Sequence, residues 1–444
     1  MKKIITRFPP SPTGELHIGN VRTMLFNYLF TRQNKGEIFM RFEDTDRERS
    51  SAEHEVAAKE TLELLGITYD HGPFRQSERT ALYREKLEQL IAEGKAYEGE
   101  KSQDGSGNKV IRFKNPNKTV TFKDVIRGEI SIDSEQFEDF VIARSIDNPI
   151  YHFTVVVDDI DMGVSHVIRG EDHVTSTPRQ ILLMEALGAD VPQYAHLPLI
   201  VGDDKKKLGK RHGAVTVSSF IEAGYLPSAI VNYLAFLGWN PGGEREIYSL
   251  PELVELFTLE KVGKNPATFN YEKLADINKQ HMLLLDEDVY REKLIEFLPS
   301  EMHIKFKEND VVAKRIIHSI IKERISAFAQ VRELVQEGEF DCFFEQAKID
   351  LELMKFKEDP KEHMITLMKE SRKKLDAISE DDWSAETTKG ALWDWSGEVG
   401  RGSVLHPLRT LLSGKKQSPD PFTLAEVLGR DATIARIDAL LALK

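Results

Sequence analysis

Cysteine is nearly absent, with Cys342 alone in 444 residues. That excludes an intramolecular disulfide and any cysteine-based zinc site. Long apolar runs are absent too; nothing approaches the ~18 consecutive apolar residues of a transmembrane helix. The start, Met-Lys-Lys-Ile-Ile, imitates a signal peptide. Arg7 and the Pro9-Pro10 pair break it before an apolar core can form, so a cytoplasmic protein without membrane association is expected. Internal repeats are not evident. Net positive charge is also missing, since the formal charge is −13. An acidic chain is poorly suited to nonspecific nucleic-acid binding, but it can still meet a shaped RNA through local basic patches.

What is present is organised in two halves. Over the first 100 residues strand and helix signals alternate, which predicts a parallel α/β sheet. Residues 38–42 read as a strand, Ser50 or Ser51 caps a helix that Gly66 ends, and residues 78–93 read as a further helix. After Tyr97, strand-like segments at 109–113, 119–122, 129–132 and 139–143 suggest a small α+β insertion. Residues 155–157 and 164–168 read as buried strands of the resumed α/β domain, and 177–187 as a helix. From about Pro227 the pattern is helical, and Thr423 with Glu426 reads as a capping box before the last helix. The expected fold is a Rossmann-like parallel-sheet domain split by an insertion and followed by helical domains. The expected boundaries are 1–80 and 156–205 for the split domain, 81–155 for the insertion, 206–284 for a connecting domain and 285–444 for the helical region.

Residues 9–20 read Pro-Pro-Ser-Pro-Thr-Gly-Glu-Leu-His-Ile-Gly-Asn. A strand runs into a Pro/Gly turn, and a helix opens at about Asn20. Such a unit aims backbone N–H groups and the positive end of a helix dipole at one point, which suits a phosphate. His17 and Asn20 add side-chain donors, and Gly19 allows close approach. Residues 205–213 read Lys-Lys-Lys-Leu-Gly-Lys-Arg-His-Gly. Alone this is an unremarkable solvated basic loop. Paired with the first motif, it can gather the charge that develops during nucleotidyl transfer.

These two motifs resemble the HIGH and KMSKS signatures of class I aminoacyl-tRNA synthetases. The match is closer still. Residues 7–20, Arg-Phe-Glu-Asp-Thr-Asp at 41–46, Tyr-His-Phe at 151–153, Val-Val-Asp-Asp at 156–159, Val-Ile-Arg-Gly-Glu-Asp at 167–172, Pro-Leu-Ile at 198–200 and residues 206–217 resemble glutamyl-tRNA synthetases of bacterial type. The likeness is dense over 1–280, thin over about 285–395, and returns weakly at 406–414.

The resemblance implies ATP-dependent activation of glutamate to glutamyl-adenylate, with Mg²⁺ accompanying ATP. Transfer to the 2′-OH of the terminal adenosine of tRNA(Glu) follows, with tRNA(Gln) as a wider alternative substrate. His17, Asn20, Lys207 and Lys210 match the catalytic phosphate-handling positions. Thr13, Gly14, Gly19, Asp172 and His173 join them around ATP. Arg7 and Arg169 match the carboxylate-binding arginines, Tyr151 supplies a phenol, and Ser11 and Glu43 match the positions that hold the α-amino group. Such a pocket rejects glutamine, which lacks the second negative charge. Asp158 and Asp159 are expected to be structural or to face the acceptor end rather than to bind a metal. Asn20 stands where the class signature has His, Gly209 where the family has Ser, and Val155 where some members have Asn. The loss of the hydroxyl at Gly209 implies a looser loop. The insertion has neither Cys nor His up to Arg144, so a structural zinc is not expected.

The helical region is expected to read the anticodon, with residues 372–374 and 415–416 as candidate phosphate contacts. For Trp393 and Trp395, packing in the core is the expectation over base stacking. A monomer is expected. The rivals are a glutaminyl-tRNA synthetase, whose anticodon part is barrel-like, and a small-molecule cytidylyltransferase, which needs no helical half. A non-enzymatic RNA-binding relative would have lost the signature lysines.

Overall fold

A computed structural model describes residues 3–45, 49–100, 109–209 and 216–443. Two compact units divide the chain, Met1–His281 and Met282–Lys444. The first unit begins with strand β1 (Ile5–Phe8), helix α1 (Ile18–Gln33), β2 (Glu37–Phe42), α2 (Ala52–Leu64), β3 (His71–Arg75) and α3 (Thr80–Ala92). β1, β2 and β3 form a parallel sheet in that order. The antiparallel insertion adds β4 (Ala96–Glu100), β5 (Lys109–Phe113), β6 (Thr119–Asp124), β7 (Gly128–Asp133), β8 (Phe140–Ser145) and β9 (Asn148–Pro149). The chain then resumes as α4 (Tyr151–Asp161), β10 (His166–Gly170), α5 (Thr177–Ala186), β11 (Gln193–Leu197) and β12 (Ile200–Val201).

β10 and β11 are parallel, and β11 meets the insertion's β6–β7 hairpin at Tyr194 and Asp124. The start of β10 sits against β1, because the Ser165 amide donates to the Ile5 carbonyl at 2.9 Å and the Ser165 hydroxyl accepts from the Ile5 amide at 2.8 Å. Toward their carboxyl ends β1 and β10 carry Arg7 and Arg169, and such a point in an open parallel sheet is where ligands bind. The insertion shares its core with the sheet: Phe113, Ile142, Phe153, Val167, Leu183 and Tyr194 belong to one buried cluster.

Three expectations of the first unit change. Helix α1 starts at Ile18 rather than Asn20, because His17 itself is the N-cap and its Nδ1 accepts from the Gly19 amide at 3.1 Å. Residues 155–157 are helical, not extended. Three β-branched residues in a row favour a strand locally, but α4 is buried through this stretch and tertiary packing prevails. Helix α3 starts at Thr80, two residues later than expected, after a short 3₁₀ turn at Gln76–Glu78.

The second unit is helical, with its longest helices at Lys361–Asp376, Ala385–Val399, Arg401–Ser413 and Arg430–Leu441. The Thr423–Glu426 capping box does not form. Both residues lie inside a helix at Pro421–Leu428, the one before the last, and Asp420 caps it, accepting from the Phe422 and Thr423 amides at 2.9 and 3.2 Å, with Pro421 at the first helical position. Glu426 is engaged by the Ser319 hydroxyl at 2.7 Å. Trp393 and Trp395 are half-buried rather than core. The guanidinium of Arg401 and the ammonium of Lys389 lie 4.4 and 4.8 Å from the Trp393 ring centre, and Lys374 lies 5.3 Å from that of Trp395. Arg372 is paired with Asp438 at 2.7 Å and Asp376 at 2.9 Å, and Lys415 donates to the Glu337 and Gly338 carbonyls. Among the described residues no helix is long and apolar enough to cross a membrane.

Gly36 joins α1 to β2 where a Cβ would lie 2.4 Å from the Ile4 carbonyl oxygen. Backbone cannot yield as a side chain can. Gly36→Ala is expected to destabilise by about 1–3 kcal/mol, read as a lower melting temperature. An unchanged melting temperature would contradict the packing described.

Candidate active site

The turn after β1, the start of α1 and the end of β10 enclose a cleft of about 650 Å³. Arg7, Ser11, Thr13, Gly14, His17, Gly19, Asn20, Glu43, Tyr151, Arg169, Asp172, His173 and Lys207 all line it. Lys210 lies outside the described residues. The second signature is tied back to the first: Val201 bridges to Lys207, and Thr216, beyond the basic loop, bridges to His17.

At one end the groups suit phosphate. Because His17 Nδ1 accepts from a backbone amide, the neutral ring carries its proton on Nε2. Burial, reinforced by Lys207, pushes the His17 pKa down and keeps the ring neutral. Its free face is therefore a donor, at the positive end of the α1 dipole. Asn20 is exposed beside it. Lys207 reaches Asp172 at 3.1 Å, with both side chains about half exposed or more. Gly170 permits Asp172 to fold back, since a Cβ there would meet its Oδ1 at 2.5 Å.

At the other end two guanidinium groups are buried. The β1 residue Arg7 is 1% exposed. Its Nε donates to both oxygens of Asp159 at 3.2 Å, and its Nη1 is buried with no protein partner. Arg169, from β10, donates Nε to His196 Nε2 at 3.1 Å, Nη1 to Gln180 Oε1 at 2.7 Å and Nη2 to Thr177 Oγ1 at 2.7 Å. All three partners are uncharged acceptors, and burial pushes the Arg169 pKa down. Glu43 stands nearby, its side chain 10% exposed and 3.5 Å from Arg41 Nη2. Burial raises its pKa to about 7 against the pull of Arg41 and Arg7. The Tyr151 hydroxyl lies 3.3 Å from His173 Nδ1. Burial and then Arg169 push His173 down to about 4, so its ring is neutral. His173 thus sits against Tyr151 on the arginine side of the cleft.

Of the supporting groups, only Asp158 and Asp159 were singled out from sequence. Arg41 is fully buried on β2 and reaches Asp159 with Nη1 at 2.8 Å and Asp158 with Nε at 3.4 Å. Asp158 also accepts from Gln76 at 2.8 Å, Arg79 at 2.7 Å and Tyr83 at 2.9 Å. Both aspartates are structural, as expected. The available signal was a charge inside the apolar run at 38–42, at Arg41, and a carboxylate pair ending the valine run of α4. For Thr177, Gln180 and His196 no pattern in the sequence pointed to a site. Among the described residues no cluster of His, Cys, Asp and Glu could hold a metal ion.

This arrangement has close parallels. A family model for the catalytic domain of class I tRNA synthetases (E and Q) matches residues 3–105 and 98–276, and one for an anticodon binding domain matches 289–441. A glutamate–tRNA ligase of Aquifex aeolicus is 40% identical over 98% of both chains, and one of Nitrosospira multiformis is 38% identical over 98% of both. The crystal structure of a glutamate tRNA ligase from Elizabethkingia meningosepticum, in complex with its amino acid, superposes with a TM-score of 0.83 at 30% identity and full coverage of both chains. The synthetase from Elizabethkingia anophelis gives 0.82 at 29%. Sequence and fold agree, and the chain belongs to the glutamate–tRNA ligase family of class I aminoacyl-tRNA synthetases.

Proposed function

We propose that the chain joins glutamate to tRNA(Glu) in two steps in one cleft. The observation that carries the reading is the pair of buried guanidiniums, Arg7 and Arg169, with N–H groups left over and no protein anion on Arg169. A ligand carboxylate supplies what they lack. The side-chain carboxylate of glutamate sits at Arg7 and Arg169 beside Tyr151, and its ammonium at Glu43 and Ser11. The α-carboxylate is then left toward His17 and Lys207. ATP, with Mg²⁺ on its phosphates, lies along Thr13, Gly14, Gly19 and Asn20 and near Asp172 and His173.

In the first step a glutamate α-carboxylate oxygen attacks the α-phosphorus, and the bond to pyrophosphate breaks. Charge grows on the phosphate oxygens. His17 Nε2–H, Asn20 and Lys207 stabilise it, joined by Lys210. The exposed Lys207–Asp172 pair is worth only about 0–1 kcal/mol, so Lys207 exchanges readily onto phosphate. In the second step the 2′-OH of the terminal adenosine attacks the acyl carbon and AMP leaves. The helical unit meets the anticodon. The protein acts as a cytoplasmic monomer, with tRNA(Gln) as the second RNA to test.

Charging of tRNA(Glu) and tRNA(Gln) transcripts with radiolabelled glutamate and glutamine is the direct assay. Glutamate is expected on tRNA(Glu). Charging with glutamine instead, or no charging by folded protein, would overturn the reading.

Glu43 gives a pH dependence. Its folded pKa, about 7, lies above the ordinary 4.5. Its contribution to stability is therefore fully present below about pH 4.5 and lost as pH rises through about 7. Binding runs the other way, because only the ionised carboxylate holds the ammonium. The KM for glutamate is expected to fall from about pH 6 to about pH 8, and Glu43→Gln should abolish that trend. A trend that survives Glu43→Gln assigns it to another group.

A Cβ at Gly209 meets nothing within 4 Å. Gly209→Ser therefore restores a hydroxyl and restricts the loop without a clash. Glutamate affinity should stay within about twofold while the activation rate holds or rises. A large fall in rate would show that the glycine itself is needed.

A further inference from the structure

Behind Arg169 lies a chain of buried donors and acceptors that leads into the insertion. An arginine can only donate, so His196 Nε2, 3.1 Å from Arg169 Nε, must be a bare acceptor. The ring is fully buried. Its proton is therefore on Nδ1, which lies 2.6 Å from Asp124 Oδ2. Asp124 is equally buried, and its carboxylate is further engaged by the amides of Ile126 at 3.0 Å, Arg127 at 2.8 Å and His196 at 3.1 Å. A carboxylate with this many donors stays ionised. Thr177 Oγ1 lies 3.1 Å from the same Nε2 but gives its proton to the His173 carbonyl at 3.0 Å, which leaves the Nε2 lone pair to Arg169.

The same turn grips the site a second time. Arg127, three residues on, pairs with Glu171, whose other oxygen accepts from the Leu199 amide at 2.8 Å. One hairpin turn of the insertion thus reaches the ends of both β10 and β11. Arg169 spends Nε and one hydrogen on each terminal nitrogen on protein acceptors. One hydrogen on each terminal nitrogen is left for an anion.

We propose that Asp124 and His196 are positioning residues for the glutamate subsite: Asp124 fixes the proton on His196 Nδ1, so that Nε2 holds the Arg169 guanidinium in the orientation that receives the substrate carboxylate. The inference rests on the glutamate reading given above. In Asp124→Asn the oxygen stays with the Ile126 and Arg127 amides. The amide nitrogen then faces His196 Nδ1 and also opposes the His196 backbone amide, which loses its Oδ2 acceptor; the ring proton moves to Nε2, and two donors oppose each other at Arg169.

The test is steady-state aminoacylation of tRNA(Glu) by the full chain, with wild-type charging by glutamate established first. Failure of wild type would count against the glutamate reading; the variants test the relay alone. Asp124→Asn is expected to raise the glutamate KM by about 10- to 100-fold and to leave the ATP KM within about twofold. His196→Gln keeps an acceptor near the Nε2 position. In that background Asp124→Asn should no longer raise the glutamate KM, because the proton order it disturbs is gone. Should Asp124→Asn not fold, His196→Asn against His196→Gln makes the same comparison, and only the shorter side chain should raise the glutamate KM. An unchanged glutamate KM in Asp124→Asn would overturn the proposal. So would an equal rise in both backgrounds, an equal rise in the ATP KM, or equal effects of the two His196 variants.

Discussion

Asp159 is shared by two guanidinium groups from different strands. Arg7 of β1 gives it Nε at 3.2 Å, and Arg41 of β2 gives it Nη1 at 2.8 Å. The burial of all three would be costly for any one alone. Removing one partner from such a set typically costs about 3–5 kcal/mol, because the remaining charge is left uncompensated. The carboxylate is held ionised by Arg7 and Arg41 against burial. By taking the Nε edge of Arg7, Asp159 turns that side chain so that Nη1 remains without a protein partner. The open position for a ligand anion is thus a consequence of how α4 packs against the sheet.

The second guanidinium at the same end is held on the opposite plan. Arg169 has neutral partners and no carboxylate, so its charge is directed at whatever enters. Glu43 is buried beside two arginines and still has its pKa raised, which poises it between charged and neutral near pH 7. A ligand with two carboxylates and one ammonium complements this distribution. Glutamine, one charge short, leaves a buried guanidinium unpaired, and that is an expensive mismatch. The phosphate end relies on weaker, exposed contacts such as Lys207 with Asp172, consistent with groups that must move during the reaction.

Much of the site was legible because its chemistry is concentrated in short runs. The turn at residues 9–20 and the strand end at Arg169 each carry several functional groups at fixed spacing. The supports were not legible. Asp124 and His196 are far apart in sequence and meet only because β6 of the insertion pairs with β11. The valines of α4 favoured a strand locally, yet their helix is what delivers Asp158 and Asp159 to the sheet. His17 began α1 earlier than expected because its ring caps the helix, a use of the side chain that composition cannot reveal. In the helical unit the tryptophans were expected in the core rather than stacked on bases. They are half-buried with cations over their rings, and Arg372 pairs with two aspartates.

On the proposed reading, Arg7 Nη1 and the remaining Arg169 hydrogens form one anion site set by Asp159 and His196. A crystal structure of this chain with bound glutamate tests it most directly. One ligand carboxylate is expected within hydrogen-bonding distance of both arginines, with Arg7 Nε still on Asp159 and the ligand ammonium on Glu43. A glutamate whose carboxylates both avoid Arg7 and Arg169, or an Arg7 that leaves Asp159 to reach it, would contradict the account.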